Sequence, residues 1–146
     1  MSHTHFLYHI VFATKDRLPI IAASWENELH KYLGGIIRNY GGEPIEIDGM
    51  ADHAHILARL EPKPSFADFM RELKAGSSRW VRQNYESKFA GQRRYGAFTV
   101  SESASAAVRK YIREQKEHHA RQTFEDEYKS LLQRHRIDFD EKYIWD

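Results

Sequence analysis

The sequence predicts an α+β fold in which an antiparallel sheet carries helices on one face. Strand-like stretches of alternating apolar residues are interspersed with longer runs that have apolar residues at helical spacing. Two neighbouring strand-like stretches are separated by a short Asp48-Gly49 turn signal, which favours an antiparallel hairpin. The chain has 146 residues, 41% of them hydrophobic, which is enough for one domain (1–146) with a sizeable core.

The first half of the chain predicts a strand, a helix and a hairpin. Residues 5–14 alternate large apolar side chains and predict a strand. Residues 20–40 carry apolar residues at helical spacing and predict a helix that ends at a glycine pair. Residues 44–47 and 50–60 predict the two strands of the hairpin.

The second half predicts a helix, a strand and a last helix. Ser65 is a candidate N-cap for a helix that runs to about residue 83. Residues 98–100 predict a strand, and residues 105–122 predict a helix with one apolar edge. The resulting order is that of a ferredoxin-like sheet with an added C-terminal helix. This fold hosts many functions, so the function has to be argued from particular residues.

The predicted second hairpin strand carries a histidine pair, His53 and His55. Alternation along a strand places both imidazoles on one face, which we expect to be solvent-exposed, while the intervening residues point into a core. Adjacent imidazoles on a rigid sheet predict a divalent-metal site. Asp52 should point to the opposite face, as a turn or supporting residue. The alternative is chance, because the chain has 9 histidines and a second such pair, His3 and His5, that we interpret as incidental.

The predicted last helix carries Tyr111, Gln115 and His119. Positions four residues apart share one side of a helix, so these three side chains should project together. A phenol beside an amide oxygen and an imidazole is unusual for a core. In the alternative, Tyr111 packs through its ring while Gln115 and His119 are merely solvated. The neighbouring His118 should face solvent or help to hold the helix.

Charge and composition limit the function classes. The formal net charge is only +1, although basic residues cluster locally. Candidate contacts to a nucleic-acid backbone are Arg71, Lys74, Arg79, Arg93 and Arg94. The chain has no cysteine, which excludes disulfides and thiolate zinc sites and fits a reducing cytoplasm. No apolar run reaches the length of a membrane span, so we expect no membrane association.

The paired histidines on a strand, with a downstream helix that carries Tyr-x-x-x-Gln, resemble the single-tyrosine HUH transposases. These small enzymes mobilise insertion sequences through single-stranded DNA, and the REP-associated tyrosine transposases are their relatives. The resemblance spans residues 6–145, and further matching segments are residues 8–15, 73–78, 95–101 and 138–145.

The resemblance implies a mechanism and a set of partners. Tyr111 is the nucleophile and forms a 5′-phosphotyrosine link to DNA. His53, His55 and Gln115 are ligands of Mg²⁺ or Mn²⁺, and His119 is an alternative ligand. A homodimer shares its active sites between subunits, so that the tyrosine helix of one serves the histidines of the other. The substrate is a single-stranded DNA hairpin at the element's ends, in the cytoplasm at the nucleoid.

Three other functions remain open from the sequence. A replication initiator or relaxase of the HUH class is usually larger, and this chain has no room for the additional domains. A domesticated HUH nuclease that acts on genomic repeats would keep the same residues. A non-catalytic ferredoxin-like nucleic-acid-binding module would use Tyr111 structurally, but the chain lacks the Gly-aromatic signature of that class.

Overall fold

The computed structural model, which describes residues 2–145, confirms the α+β ferredoxin-like fold. A four-stranded sheet has the order β2-β3-β1-β4, and every neighbouring pair is antiparallel. In chain order the elements are β1 (Leu7–Ala13), α1 (Glu26–Asn39), β2 (Glu43–Met50), β3 (His53–Arg59), α2 (Phe66–Asn84), β4 (Gly96–Thr99), α3 (Ser105–Arg113), α4 (Gln115–His118) and α5 (Phe124–Arg134). Short 3₁₀ helices occupy Lys15–Arg17 and Glu102–Ala104.

Both faces of the two central strands are covered. On one face, Ile10 of β1 and Ile56 of β3 pack in the main core with apolar residues of α1 and α2. On the other face, Val11 and Leu57 lie beneath residues of α3 and α5. The chain therefore has a third layer, because its C-terminal helices close the sheet face that carries the histidines.

Helix α1 begins later than the predicted residue 20. The backbone N–H of Ile20 donates to the Leu18 carbonyl and that of Ile21 donates to the Ala51 carbonyl. The first bond is a local turn and the second ties the segment to the hairpin, so neither belongs to a helix, and α1 starts at Glu26. Helix α2 matches its prediction closely, and the Ser65 hydroxyl caps it by accepting from the Asp68 N–H at 3.2 Å.

The predicted turn at Asp48-Gly49 is wrong by three residues. Both residues belong to β2, where Gly49 pairs with Ala54, and the turn lies at Ala51 and Asp52. Gly49 is needed for a close approach of strands rather than for a turn. A Cβ atom there would lie 2.2 Å from the carbonyl oxygen of His53.

Gly49→Ala should therefore destabilise the hairpin that carries the histidines. The new methyl group must push backbone aside, at a cost of about 1–3 kcal/mol in the free energy of unfolding, measured by urea titration. Gly35→Ala is the control, because a Cβ at this helical position has no atom within 4 Å. It should be neutral or slightly stabilising. Equal stability of Gly49→Ala and the wild type would contradict the argument.

The C-terminal region differs most from the predicted single helix over residues 105–122. The helix is interrupted at Glu114, whose backbone leaves helical geometry at φ −97° and ψ 23°, so α3 and α4 are separate. Sequence analysis also misses α5, which the Thr123 hydroxyl caps by accepting from the Asp126 N–H at 3.1 Å. Of the helices in residues 2–145, none is both long and apolar enough to cross a membrane.

Candidate active site

The histidine pair lies on β3, a central strand, but it is not solvent-exposed as predicted. His53 and His55 are 1% and 0% exposed, respectively. They do share one face, and the residues between and after them point into the main core as predicted. The prediction of a solvent-exposed face is wrong, because α3, α4 and α5 cover this face of the sheet.

The side chains predicted to project together from the tyrosine helix do meet, and they meet at Glu127 of α5. Its Oε2 atom accepts from the Tyr111 hydroxyl in a short hydrogen bond and from Gln115 Nε2 at 3.1 Å. Its Oε1 atom lies 3.1 Å from His119 Nε2 and 3.0 Å from His55 Nε2. The Tyr111 and His55 ring centroids are 6.0 Å apart, so one chain brings the phenol and the histidines together without a second subunit.

Two residues of this cluster are missed by the sequence analysis. Glu127 is the first, and it is 2% exposed. It follows Phe124 by three residues and precedes Leu131 by four, which is the spacing of a buried helical face. His9 is the second, and its Nε2 lies 2.8 Å from His55 Nδ1. Strand alternation from Leu7 and Val11 places His9 on the same sheet face, so both residues had a detectable signal.

Burial and hydrogen bonds shift the pKa values of four side chains in and beside the cluster: His9, His55, Tyr111 and Glu127. Burial and the neighbouring His55 lower the pKa of His9 to about 3, and burial also lowers the pKa of His55. Burial alone would raise the pKa of Glu127, but hydrogen bonds from His119, His55 and Tyr111 hold it far below its usual range. Burial and the Glu127 carboxylate raise the pKa of Tyr111 well above that of a free phenol. The carboxylate is therefore charged and the phenol protonated.

The donor atoms fit a metal ion. Ligand atoms of His53, His55, His119 and Glu127 all lie within 4.8 Å of one another. Asp52 Oδ1 lies 2.7 Å from His53 Nδ1 and can only accept, so Nδ1 carries the proton. In the neutral ring, His53 Nε2 then directs a lone pair towards two further acceptors, Gln115 Oε1 at 3.2 Å and Glu127 Oε1 at 3.6 Å. A cation would satisfy all three atoms.

This contact also corrects the prediction for Asp52. Its side chain does not point to the opposite face, because Asp52 lies in the turn, where strand alternation does not apply. Its carboxylate accepts from His53 Nδ1 and so orients the ring, as carboxylates commonly do for histidine ligands.

Neighbouring residues hold the cluster in place. Phe124 stacks on His53 with ring centroids 3.7 Å apart and planes 3° from parallel. His118, predicted to face solvent or hold the helix, packs against the Tyr111 ring at 4.5 Å. Lys116 donates to Glu26 Oε1 at 2.6 Å and to the Gly49 carbonyl at 2.7 Å. The Lys116 ammonium thus anchors α4, and with it Gln115, to α1 and β2.

The basic residues predicted to contact DNA are separated from this cluster. Arg71, Lys74 and Arg79 belong to α2, which packs on the opposite face of the sheet. Lys74 donates to the Arg93 carbonyl at 2.6 Å, so α2 is tied to the segment before β4. The side chains of Arg79, Arg93 and Arg94 are exposed.

A cavity of about 400 Å³ reaches the Tyr111 ring from the β4 side of the sheet. It lies between α3 and α5, and its lining includes His9, Phe98, Arg134 and His135. Arg134 makes no ion pair with a carboxylate in residues 2–145. The cavity therefore places a cationic side chain beside the Tyr111 ring.

Comparison with known proteins identifies the family. A family model described as "Transposase IS200 like" matches residues 2–115. The chain belongs to the IS200-like transposase family. The resemblance found in the sequence is thereby confirmed, and membership supports a transposase function. Helix α5 and Glu127 lie beyond the matched residues.

Individual relatives of this IS200-like transposase agree. The ISDra2 transposase TnpA of Deinococcus radiodurans is 30% identical over 115 residues, 74% of this chain and 82% of that protein. The transposase for insertion sequence element IS200 of Salmonella typhimurium is 31% identical over 130 residues, 80% of this chain and 82% of that protein.

Solved structures support the fold. A putative transposase from Deinococcus radiodurans R1 superposes with a TM-score of 0.64 at 26% identity, covering 78% of this chain and 93% of that one. A REP-associated tyrosine transposase bound to a REP hairpin gives a TM-score of 0.62 at 14% identity, covering 82% of this chain and 73% of that one.

Proposed function

We propose that this transposase cleaves and rejoins single-stranded DNA through a covalent link to Tyr111. The observation that carries the proposal is the convergence, within one chain, of the Tyr111 hydroxyl and the His53–His55 pair on one buried carboxylate. A phenol beside a potential metal site brings a nucleophile and a Lewis acid within reach of one phosphate, which suits phosphodiester exchange by a tyrosine.

In the proposed reaction the Tyr111 oxygen attacks a DNA phosphorus. The new bond is a 5′-phosphotyrosine ester; the bond to the 3′ oxygen breaks, the phenol gives up its proton and the 3′ oxygen gains one. The phosphodiester energy is retained, so a second DNA end can be joined by the reverse step. A phenol, with an ordinary pKa of about 10, leaves more readily than an alkoxide in that step.

His53, His55 and Gln115 would hold a divalent ion, Mg²⁺ or Mn²⁺, with His119 as a further donor. When bound, the ion polarises the scissile phosphate and stabilises the charge that develops on it. The protein orients these donors through Asp52 behind His53 and His9 behind His55. The cavity beside Tyr111 would admit the DNA backbone, with Arg134 available to contact a phosphate.

The proposed substrate is a DNA hairpin with flanking single strands, held by basic residues that include Arg71, Lys74, Arg79, Arg93 and Arg94. The REP hairpin in one structurally similar transposase supports this substrate form. We infer a location in the cytoplasm at the nucleoid. A homodimer is part of the proposal, and its active sites can form within each chain, as in this structure, or by exchange of tyrosine helices.

The test is an adduct assay with 5′- and 3′-labelled single-stranded hairpin DNA in Mn²⁺. We expect a protein–DNA adduct that survives denaturation, requires the metal and carries the label on the 3′ side of the cut. The fully double-stranded form of the same sequence should be inert. Cleavage without an adduct would reject the tyrosine mechanism, and no cleavage of any hairpin from the flanking DNA would favour a binding function.

A further inference from the structure

We propose that Glu127 is itself a metal ligand and also positions Tyr111, so that one carboxylate of α5 links metal binding to nucleophile placement. The inference rests on the proposed metal-dependent function and deepens it. It adds to the ligand set a residue from beyond the part of the chain that the family model matches.

The Glu127 carboxylate lies among the ring nitrogens of three histidines. Glu127 Oε1 lies 3.0 Å from His55 Nε2, 3.1 Å from His119 Nε2 and 3.6 Å from His53 Nε2. An oxygen surrounded by imidazole nitrogens at these distances needs little movement to share one ion with them, because metal–ligand bonds of about 2 Å place ligands about 3 Å apart.

The second step concerns charge. Glu127 is 2% exposed, and in residues 2–145 no lysine or arginine pairs with it. A buried carboxylate is costly unless a cation compensates it. The groups that surround it are instead three imidazole nitrogens, which are themselves metal-ligand atoms. A divalent ion would compensate the carboxylate and complete the coordination of the imidazoles.

The third step concerns the identity of the ion. Magnesium favours oxygen ligands and retains its water molecules, whereas imidazole nitrogens suit first-row transition metals. A site built from His53, His55, His119 and Glu127 is rich in nitrogen and carries a single negative charge. The donor set therefore favours Mn²⁺ or a similar transition-metal ion over Mg²⁺.

The last step concerns the nucleophile. The second carboxylate oxygen, Oε2, accepts from the Tyr111 hydroxyl and from Gln115 Nε2. One rigid group thus faces the metal donors with one oxygen and the phenol with the other. Glu127 acts on Tyr111 as a positioning residue, and loss of α5 would disturb both the metal and the tyrosine.

The test measures Mn²⁺ binding to the full chain without DNA, by electron paramagnetic resonance of free Mn²⁺. Glu127→Gln, which keeps the shape but removes the charge, should raise the Kd for Mn²⁺ at least about tenfold. The matched control is Glu125→Gln, on the same helix but exposed and bound to Lys129 and Arg17. It should bind Mn²⁺ as the wild type does. Mg²⁺ should compete with Mn²⁺ poorly in the wild type.

A second measurement separates positioning from metal affinity. At saturating Mn²⁺, Glu127→Gln should still form the DNA adduct more slowly than wild type, because the Tyr111 hydroxyl then faces a neutral amide instead of a charged acceptor. Tyr111→Phe should bind Mn²⁺ with wild-type affinity, because its hydroxyl contacts the oxygen that faces away from the metal donors.

Unchanged Mn²⁺ affinity in a folded Glu127→Gln variant overturns the inference and leaves the proposed function standing. Absence of Mn²⁺ binding in the wild type removes the metal-dependent function as well. Circular dichroism checks the fold. If Glu127→Gln does not fold, Glu127→Asp keeps the charge but withdraws the oxygens by one methylene, and wild-type affinity in that variant overturns the inference equally.

Discussion

Tyr111→Phe is expected to abolish the covalent protein–DNA adduct. The substitution removes the oxygen that, in the proposed reaction, forms the bond to phosphorus, so no residual rate through this residue is expected. The ring remains packed against His118, and the histidine cluster is unaffected. Labelled hairpin DNA analysed on a denaturing gel should therefore show no adduct, while native gels should show hairpin binding close to that of wild type.

Tyr128→Phe is the matched control for this experiment. Tyr128 is a buried tyrosine of α5 in the same layer, and burial raises its pKa to about 12. Its ring packs against Phe124 and Trp145, and within residues 2–145 its hydroxyl makes no hydrogen bond to Glu127 or to a histidine. Its variant should therefore form the adduct at the wild-type rate. A persistent adduct in Tyr111→Phe would reassign the nucleophile to another side chain. Equal loss of the adduct in both variants would point to a general loss of structure.

The strands and the first two helices were predictable because their signals are local. Alternation in β1 and β3, the Ser65 cap and the spacing of apolar residues in α2 each depend on a few neighbouring residues. The shared side of Tyr111, Gln115 and His119 was predictable for the same reason. It survives the interruption at Glu114, because all three side chains contact Glu127.

What failed were inferences that depend on tertiary contacts. Gly49 resembles a turn glycine, but it serves the approach of β2 to the His53 carbonyl, which lies on another strand. The sheet face that carries His53 and His55 was expected to be solvent-exposed, because the sequence does not indicate which helices pack over it. Glu127 was not among the predicted site residues, because charged residues are seldom buried without a partner. Its partners come from β3, α3 and α4, and only folding brings them together.

His53→Ala should reduce DNA cleavage at least about 100-fold while sparing hairpin binding. The His53 side chain is fully buried beneath Phe124, so it cannot contact a hairpin on the protein surface. Its removal takes away a donor of the proposed metal centre and leaves Asp52 without the imidazole that it supports. His30→Ala on α1 is the control, since that imidazole is half-buried beside Glu26, outside the cluster. In His53→Ala the rate of cleavage should therefore fall while the gel-shift affinity stays, and in His30→Ala both should stay unchanged.

Parallel loss of cleavage and binding in a folded His53→Ala variant would show that the histidine has a structural role. Undiminished cleavage would remove it from the metal centre, and the chemistry would then have to be rebuilt around His55, His119 and Glu127.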